Sequence, residues 1–360
     1  MLTKGDDYPI HQTPEPVAFA GTDRNFYDRY FFNGYGPEGE AFFAIAFGIY
    51  PNLNVADAHF SCLVGGKQIC LHASKLLGME RMDLSVGPIS IDIVEPLQIL
   101  RVRIAPTDGI AADLTFTGRH FPIEEPRFTR RFGPRSFMDY TRLTQNGHWS
   151  GWYEIDGQRV GVDTHVGTRD RSWGVRPVGA RDPQPIVPEV APQFYWLWSP
   201  ANFANGSLFF HVNADAEGKP WNVRAVRQAD SGEHDETSDG AMTLTLEPGL
   251  RHASAATLTA KFGDDRLAAT FEPGAKFLMR GIGYGHPDWP HGGWKGALAV
   301  EREDMGPAAI SAGRPDHLHI QALARVTVED GGQTHVGTGI LEQLILGPYA
   351  PLGLTTVFGD

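Results

Sequence analysis

AHFSCLVGGKQICLHAS, residues Ala58–Ser74, is two β-prone runs joined by Gly65-Gly66. A Gly-Gly pair in that position signals a hairpin, because a two-residue primed turn needs positive φ and glycine adopts it without steric cost. Such a turn also sets the register. Cys62 then falls opposite Ile69, and Cys70 opposite Ser61. These are the only two cysteines in the chain. Pointing to opposite faces of one hairpin they cannot easily be bridged, so both are expected to be reduced structural thiols.

The same pattern extends outward in both directions. EAFFAIAFGIY (Glu40–Tyr50) is a nearly continuous apolar run, and ISIDIVEPLQILRVRI (Ile89–Ile104) gives two alternating segments around Pro96. ADLTFTGRHF (Ala112–Phe121) and HWSGWYEIDGQRVGVDTHVG (His148–Gly167) alternate around further turns, and so do FYWLWS, GSLFFHVNA, AMTLTLEP and HIQALARVTVE beyond residue 190. Short strands separated by Gly, Pro or Asp-Gly, in a chain with 42 glycines and 26 prolines, predict an all-β protein of sandwiches or antiparallel barrels. TGILEQLILG (Thr338–Gly347) is the best helix candidate, with a strand as its alternative. DRNFYDRYFFNGY (Asp23–Tyr35) reads as an edge strand with a salt bridge or, alternatively, as a pocket wall that uses Arg29 and Tyr30.

A length of 360 residues suits two domains. The proline-rich GARDPQPIVPEVAPQ (Gly179–Gln193) lies near the midpoint as a linker would, giving domains at 1–178 and 194–360. RQADSGEHDETSDG (Arg227–Gly240) reads as a solvated acidic loop. A net charge of −12 argues against nucleic acid or an anionic membrane surface as partner, since both demand a basic face. No segment has the roughly 18 apolar residues of a membrane helix, and the start lacks a secretory core, so a cytoplasmic location is expected.

Chemistry concentrates in GTRDRSWGVRP (Gly167–Pro177). On a strand, His165, Arg169, Arg171 and Trp173 share one face, and Asp170 lies on the other, pointing away from Trp173. Two fixed guanidinium groups suit a carboxylate or phosphate, and an indole beside them suits cation–π stacking. The alternative is an internal network in which Asp170 and the arginines tie sheets together. A second, aromatic cluster comprises Tyr195, Trp196 and Trp198 with His211, either as core or as the lining of an apolar cavity. Metal signals are weak: His317 and His319 share a strand face without a further ligand at a helpful interval, and His286 and His291 sit in a Pro-rich loop. No metal and no cofactor is expected, and no phosphate or dinucleotide motif is present.

RDRSWG (Arg169–Gly174), followed some twenty residues on by FYWLW, resembles the Asp-(His/Arg)-x-Trp signature of the AttH-like and carotenoid hydratase (hydroxyneurosporene synthase) superfamily. NFYDRYFFNGY and ERMDLSVGPISIDIVEPLQILRV resemble the N-terminal half of an uncharacterised bacterial branch of it. The resemblance spans most of the chain. It implies two lipocalin-like (calycin) β-domains with a ligand cavity near their junction, and hydration, cyclisation or ring closure of hydrophobic, often isoprenoid, molecules without a redox cofactor. Such reactions begin with a proton from an acid kept neutral by its surroundings. The hydratases tend to carry histidine where this chain has Arg171, and arginine is no proton donor near neutral pH. FYWLW also lacks the carboxylate expected there.

The candidates for proton donor are therefore Asp170, His165 and His211. Arg169 and Arg171 are expected to hold a polar or anionic head group, with Trp173, Tyr195, Trp196, Trp198, Arg29 and Tyr30 shaping the pocket. The function expected is that of a hydratase- or cyclase-type lyase or isomerase acting on an isoprenoid- or lipid-like molecule. A non-catalytic carrier or sensor of an amphipathic acid is the alternative.

Overall fold

The computed structural model describes residues 2–11, 23–37, 39, 41–179, 187, 191–306, 310–311, 313–330 and 332–358. Most of the linker expected at Gly179–Gln193 lies outside them. The protein is all-β and lipocalin-like, with a nearly closed barrel and a half-barrel. Its chain divides into two compact units, one of residues 1–36, 41–187 and 281–307, the other of 37–40, 188–280 and 308–360.

In the first unit, strands β1 (Phe26–Tyr35), β2 (Phe43–Tyr50), β3 (Val55–Val64) and β4 (Lys67–Leu76) form an antiparallel meander. The hairpin has the register that the Gly-Gly turn imposes, Cys62 opposite Ile69 and Ser61 opposite Cys70, with φ of +57° and +78° at the two glycines. Both thiols are buried and neither is in a disulfide. On its other side β1 pairs with the motif strand Val166–Val175, which pairs in turn with the long strand Arg135–Ile155. β1 is thus a central strand, not the edge strand that its mixture of charges suggests. Asp28 is tolerated there because Arg171 of the motif strand neutralises it.

The edge beyond β4 is closed by Leu298–Met305. The sequence division places this strand in the C-terminal domain. It belongs to the first unit because β4 offers an unpaired edge whose backbone groups it satisfies. The strand Ile89–Glu95, near the far end of the sheet, comes round to β3, so the sheet curls on itself. Inside lies a core that includes Phe32, Phe43, Phe60, Phe116 and Trp149. Burial of each such ring contributes roughly 1.5–3 kcal/mol. All eight residues of β2 are buried, which explains its continuous apolar run: both faces are covered.

The second unit is a nine-stranded antiparallel sheet. Its strands show the alternation their sequences predict; Ala253–Phe262 buries every second residue along most of its length. TGILEQLILG is strand, the end of Gln333–Leu346, because neighbouring strands on both sides supply ladder partners. The acidic stretch from Arg227 contains a short, mostly exposed edge strand, His234–Thr237.

Candidate functional site

The pleat of Val166–Val175 divides the motif between two environments. On the core side, Arg169 donates to Asp7 through Nη1 at 2.6 Å and Nη2 at 3.3 Å, and through Nε to Gln145 Oε1 at 2.6 Å. Arg171 pairs with Asp28, donates to the Arg29 carbonyl at 3.1 Å, and lies over the Tyr30 ring at 3.9 Å. The Trp173 indole stacks on the His11 imidazole with centroids 3.6 Å apart, and His11 is held by Asp28 at 3.0 Å and Asp6 at 3.1 Å. Burial alone would raise the Asp28 carboxyl, but the Arg171 guanidinium and His11 outweigh it and hold it below the usual carboxylate range.

Both guanidinium groups are fully buried and already engaged by carboxylates of the chain itself. This corrects the head-group role expected for Arg169, which is an internal tie, the alternative reading of the motif; Arg171 is tied to Asp28 through Nη1, with its Nε and Nη2 left without hydrogen-bond partners. Local sequence could not show it, because Asp7 arrives from a 3-10 turn (Lys4–Asp7) at the far end of the chain. Tyr30 donates to the Asp7 carbonyl at 2.5 Å and belongs to the same network. His165 packs toward Phe43 at the core, away from Asp170.

Asp170 lies on the opposite face, 4.0 Å from Arg142, which donates to Glu125 at 2.9 Å. Cross-strand pairing puts Ser172 beside Arg29, and Arg29 beside Gly48. Arg29 is 1% exposed. It donates through Nη2 to the Ile282 carbonyl at 3.1 Å and stacks over Tyr284 at 4.6 Å. Its Nε and Nη1 have no hydrogen-bond partner. An unsatisfied buried guanidinium is costly and calls for an explanation.

The small residues Ala44, Ala46 and Gly48 of β2 continue this face to β3, where Asp57 and His59 follow. Asp57 accepts from Tyr50 at 3.2 Å and from the Gly292 backbone at 2.7 Å. Burial keeps the Tyr50 phenol well above its ordinary range and the His59 and His291 imidazoles below theirs. The face therefore brings imidazoles and a phenol, held neutral by burial, together with the acidic side chains Asp57 and Asp170, a set able to give and take protons where water is excluded.

In the second unit, Trp196 donates to Glu342 at 2.9 Å, His319 contacts the same carboxylate at 2.8 Å, and Gln321 donates to it at 2.6 Å. Burial would raise Glu342, but these three partners hold it below the ordinary range. This is a buried acid beside FYWLW that the sequence reading missed. Its signal was one carboxylate inside the apolar run of TGILEQLILG. His211 bonds Asn222 at 3.1 Å and lies against Trp196, whereas Trp198 packs on Phe209. Tyr195 is on the other face of that strand, stacked on Tyr349. His317 accepts from the Ser311 backbone at 3.2 Å, so the two histidines of DHLHI go separate ways. Surface recesses of about 870 and 700 Å³ lie on this unit, lined in part by the acidic stretch from Arg227 and by none of the candidate catalytic or pocket residues read from the sequence.

A family profile described as a family of unknown function, DUF8625, matches residues 2–355. No curated protein matches in sequence. Among solved structures, an AttH protein from Nitrosomonas europaea superposes with a TM-score of 0.54 at 16% identity, over 91% of this chain and 95% of that one. Kievitone hydratase from Nectria haematococca gives 0.51 at 9% identity, with 88% of each chain covered. CghA in complex with Sch210972 gives 0.53 at 12%, over 90% of this chain and 89% of that one. At these identities the likeness is one of fold.

Proposed function

We propose, from the premise that the chain belongs to the DUF8625 family of unknown function, that it is a hydratase- or cyclase-type lyase or isomerase acting on a hydrophobic small molecule with a polar or anionic head. The carrying observation is that Arg29, buried with two N–H groups unsatisfied, shares one sheet face with Asp170. Arg29 takes the head group, and the ligand supplies the partners that the protein does not. Asp170 delivers the proton to an alkene; the carbocation that forms is captured by water or by a second double bond of the substrate, and the proton released in that step returns to the Asp170 carboxylate. Arg169 and Arg171 hold the strand in place, which leaves Asp170 as the reacting member of the motif. A fold shared with a hydratase is consistent with this chemistry.

The test is incubation of the purified protein in D2O with a lipophilic extract of its source cells, followed by mass spectrometry. The expected product is either heavier by one water or isomeric with its precursor, and it carries deuterium at carbon. Asp170→Asn should abolish it with an unchanged circular dichroism spectrum, and Arg29→Met should raise KM more than it lowers kcat. An amphipathic acid that binds and is recovered unaltered would replace the enzyme by the carrier reading. Undiminished turnover in Asp170→Asn would end the assignment of that residue.

A further inference from the structure

Beyond the Asp170 face, a second cluster lies at the β4 edge of the same unit. Gln68, Cys70, His72 and Ser74 alternate on one side of β4, and register sets Glu303 beside Cys70 and Glu301 beside His72. Cys70 Sγ, a ring nitrogen of His72 and a carboxylate oxygen of Glu303 all lie within 4.8 Å of one another. We propose that Cys70, His72 and Glu303 form a binding site for a zinc-class divalent cation, with a fourth position left for water.

The donor set fits that ion. Thiolate, imidazole and carboxylate together suit zinc and its borderline-soft neighbours, not magnesium or calcium, which take oxygen ligands. At ordinary zinc bond lengths a tetrahedral ligand–ligand edge is about 3.3–3.6 Å, and His72 Nε2 stands 3.4 Å from Glu303 Oε2. The remaining donor separations are no more than 4.8 Å.

The contacts around His72 also accommodate the tautomer that such a site needs. His72 is fully buried, and its Nε2 has no hydrogen-bond partner. Its Nδ1 lies 2.9 Å from His59 Nδ1, and His59 Nε2 lies 3.8 Å from Asp57. A proton on His72 Nδ1, donated to His59 Nδ1, leaves the His72 Nε2 lone pair for the ion, with His59 as the outer-shell partner that orients a metal-bound histidine. His286 is excluded as a ligand. Its Nδ1 accepts the backbone N–H groups of Asp288 and Trp289, so Nε2 carries the proton and donates to Glu303 at 2.9 Å. That bond holds the Glu303 carboxylate toward the site. With Trp289 donating to Glu301 at 2.9 Å, the bound ion would fasten the 283–293 loop and the edge strand to β4.

The sequence reading expects no metal, because the ligands come from a hairpin and from a strand far along the chain. The test loads the purified protein with Zn²⁺ or Co²⁺, removes excess ion by gel filtration, and measures metal content, the cobalt absorption spectrum and Tm. Expected are one retained ion per chain, a thiolate-to-cobalt charge-transfer band, and a higher Tm. Cys70→Ser should lose the band, and Glu303→Gln, at a half-buried position that tolerates change, should lose the retained ion. His59→Gln should weaken binding by about 10–100-fold. Asp304→Asn, on the other side of the edge strand, should leave all three readouts unchanged. No retained ion in the wild-type protein, or equal retention in Cys70→Ser and Glu303→Gln, overturns the proposal. Neither result depends on turnover, so the lyase reading stands or falls separately.

Discussion

Asp28 and Arg171 meet in a place where neither can exist alone. Two buried charges that share a hydrogen bond offset each other's desolvation, whereas one left behind has nothing to offset its own. Arg171→Ala or Asp28→Asn should therefore destabilise the protein by about 3–5 kcal/mol in urea unfolding. The double replacement Asp28→Leu with Arg171→Met should recover most of that loss, because it removes both charges at similar volume. A single variant costing less than about 1 kcal/mol, the range of an exposed pair, would show that water reaches the site. The same residues mark a limit of sequence reading: alternation assigned Arg169, Arg171 and Asp170 to their faces, but which face held counter-charges depended on Asp7 and Asp28, which no local pattern connects to the motif.

At the scale of the element, the motif strand is held by close backbone contact as much as by charge. Gly167 sits where a Cβ would lie 2.1 Å from the Asn33 carbonyl oxygen and 2.6 Å from Trp149 Nε1. Those atoms bond each other, Trp149 donating to Asn33 at 2.9 Å. Gly167→Ala should thus cost about 1–3 kcal/mol, the range for overpacking, despite alanine's lower backbone entropy in the unfolded chain. A neutral or stabilising result in thermal unfolding would mean that β1 and the motif strand are less closely apposed. The β3–β4 hairpin was legible at this scale because a two-residue turn leaves one register open. TGILEQLILG was not, since a short apolar run with leucines and a glutamate satisfies either period until its neighbours are known.

At the scale of the whole molecule, buried histidines set the acid limit. Burial holds His252 at about 4, and it holds His291 well below the ordinary histidine range. Both are depressed relative to the unfolded chain, so the unfolded state binds more protons below about pH 6.5. Stability is then fully present above that pH and falls as pH drops toward 4, at about 1.4 kcal/mol per pH unit for each histidine. Tm measured from pH 7.5 to 5 should decline, and His252→Gln should flatten the slope by about one proton. A flat profile would show that both rings are wet. The amino-acid sequence by itself determined the all-β class, the hairpin register and the two faces of the motif strand, because these follow from turn geometry and a two-residue period within contiguous segments. Only the tertiary structure decided that Arg169 and Arg171 meet carboxylates while Arg29 meets none among the described residues, that Glu342 stands beside the aromatic strand, and that Glu303 reaches Cys70 and His72. Each of these is a meeting of residues distant in the chain, set by which strands lie side by side, and no periodicity encodes that order.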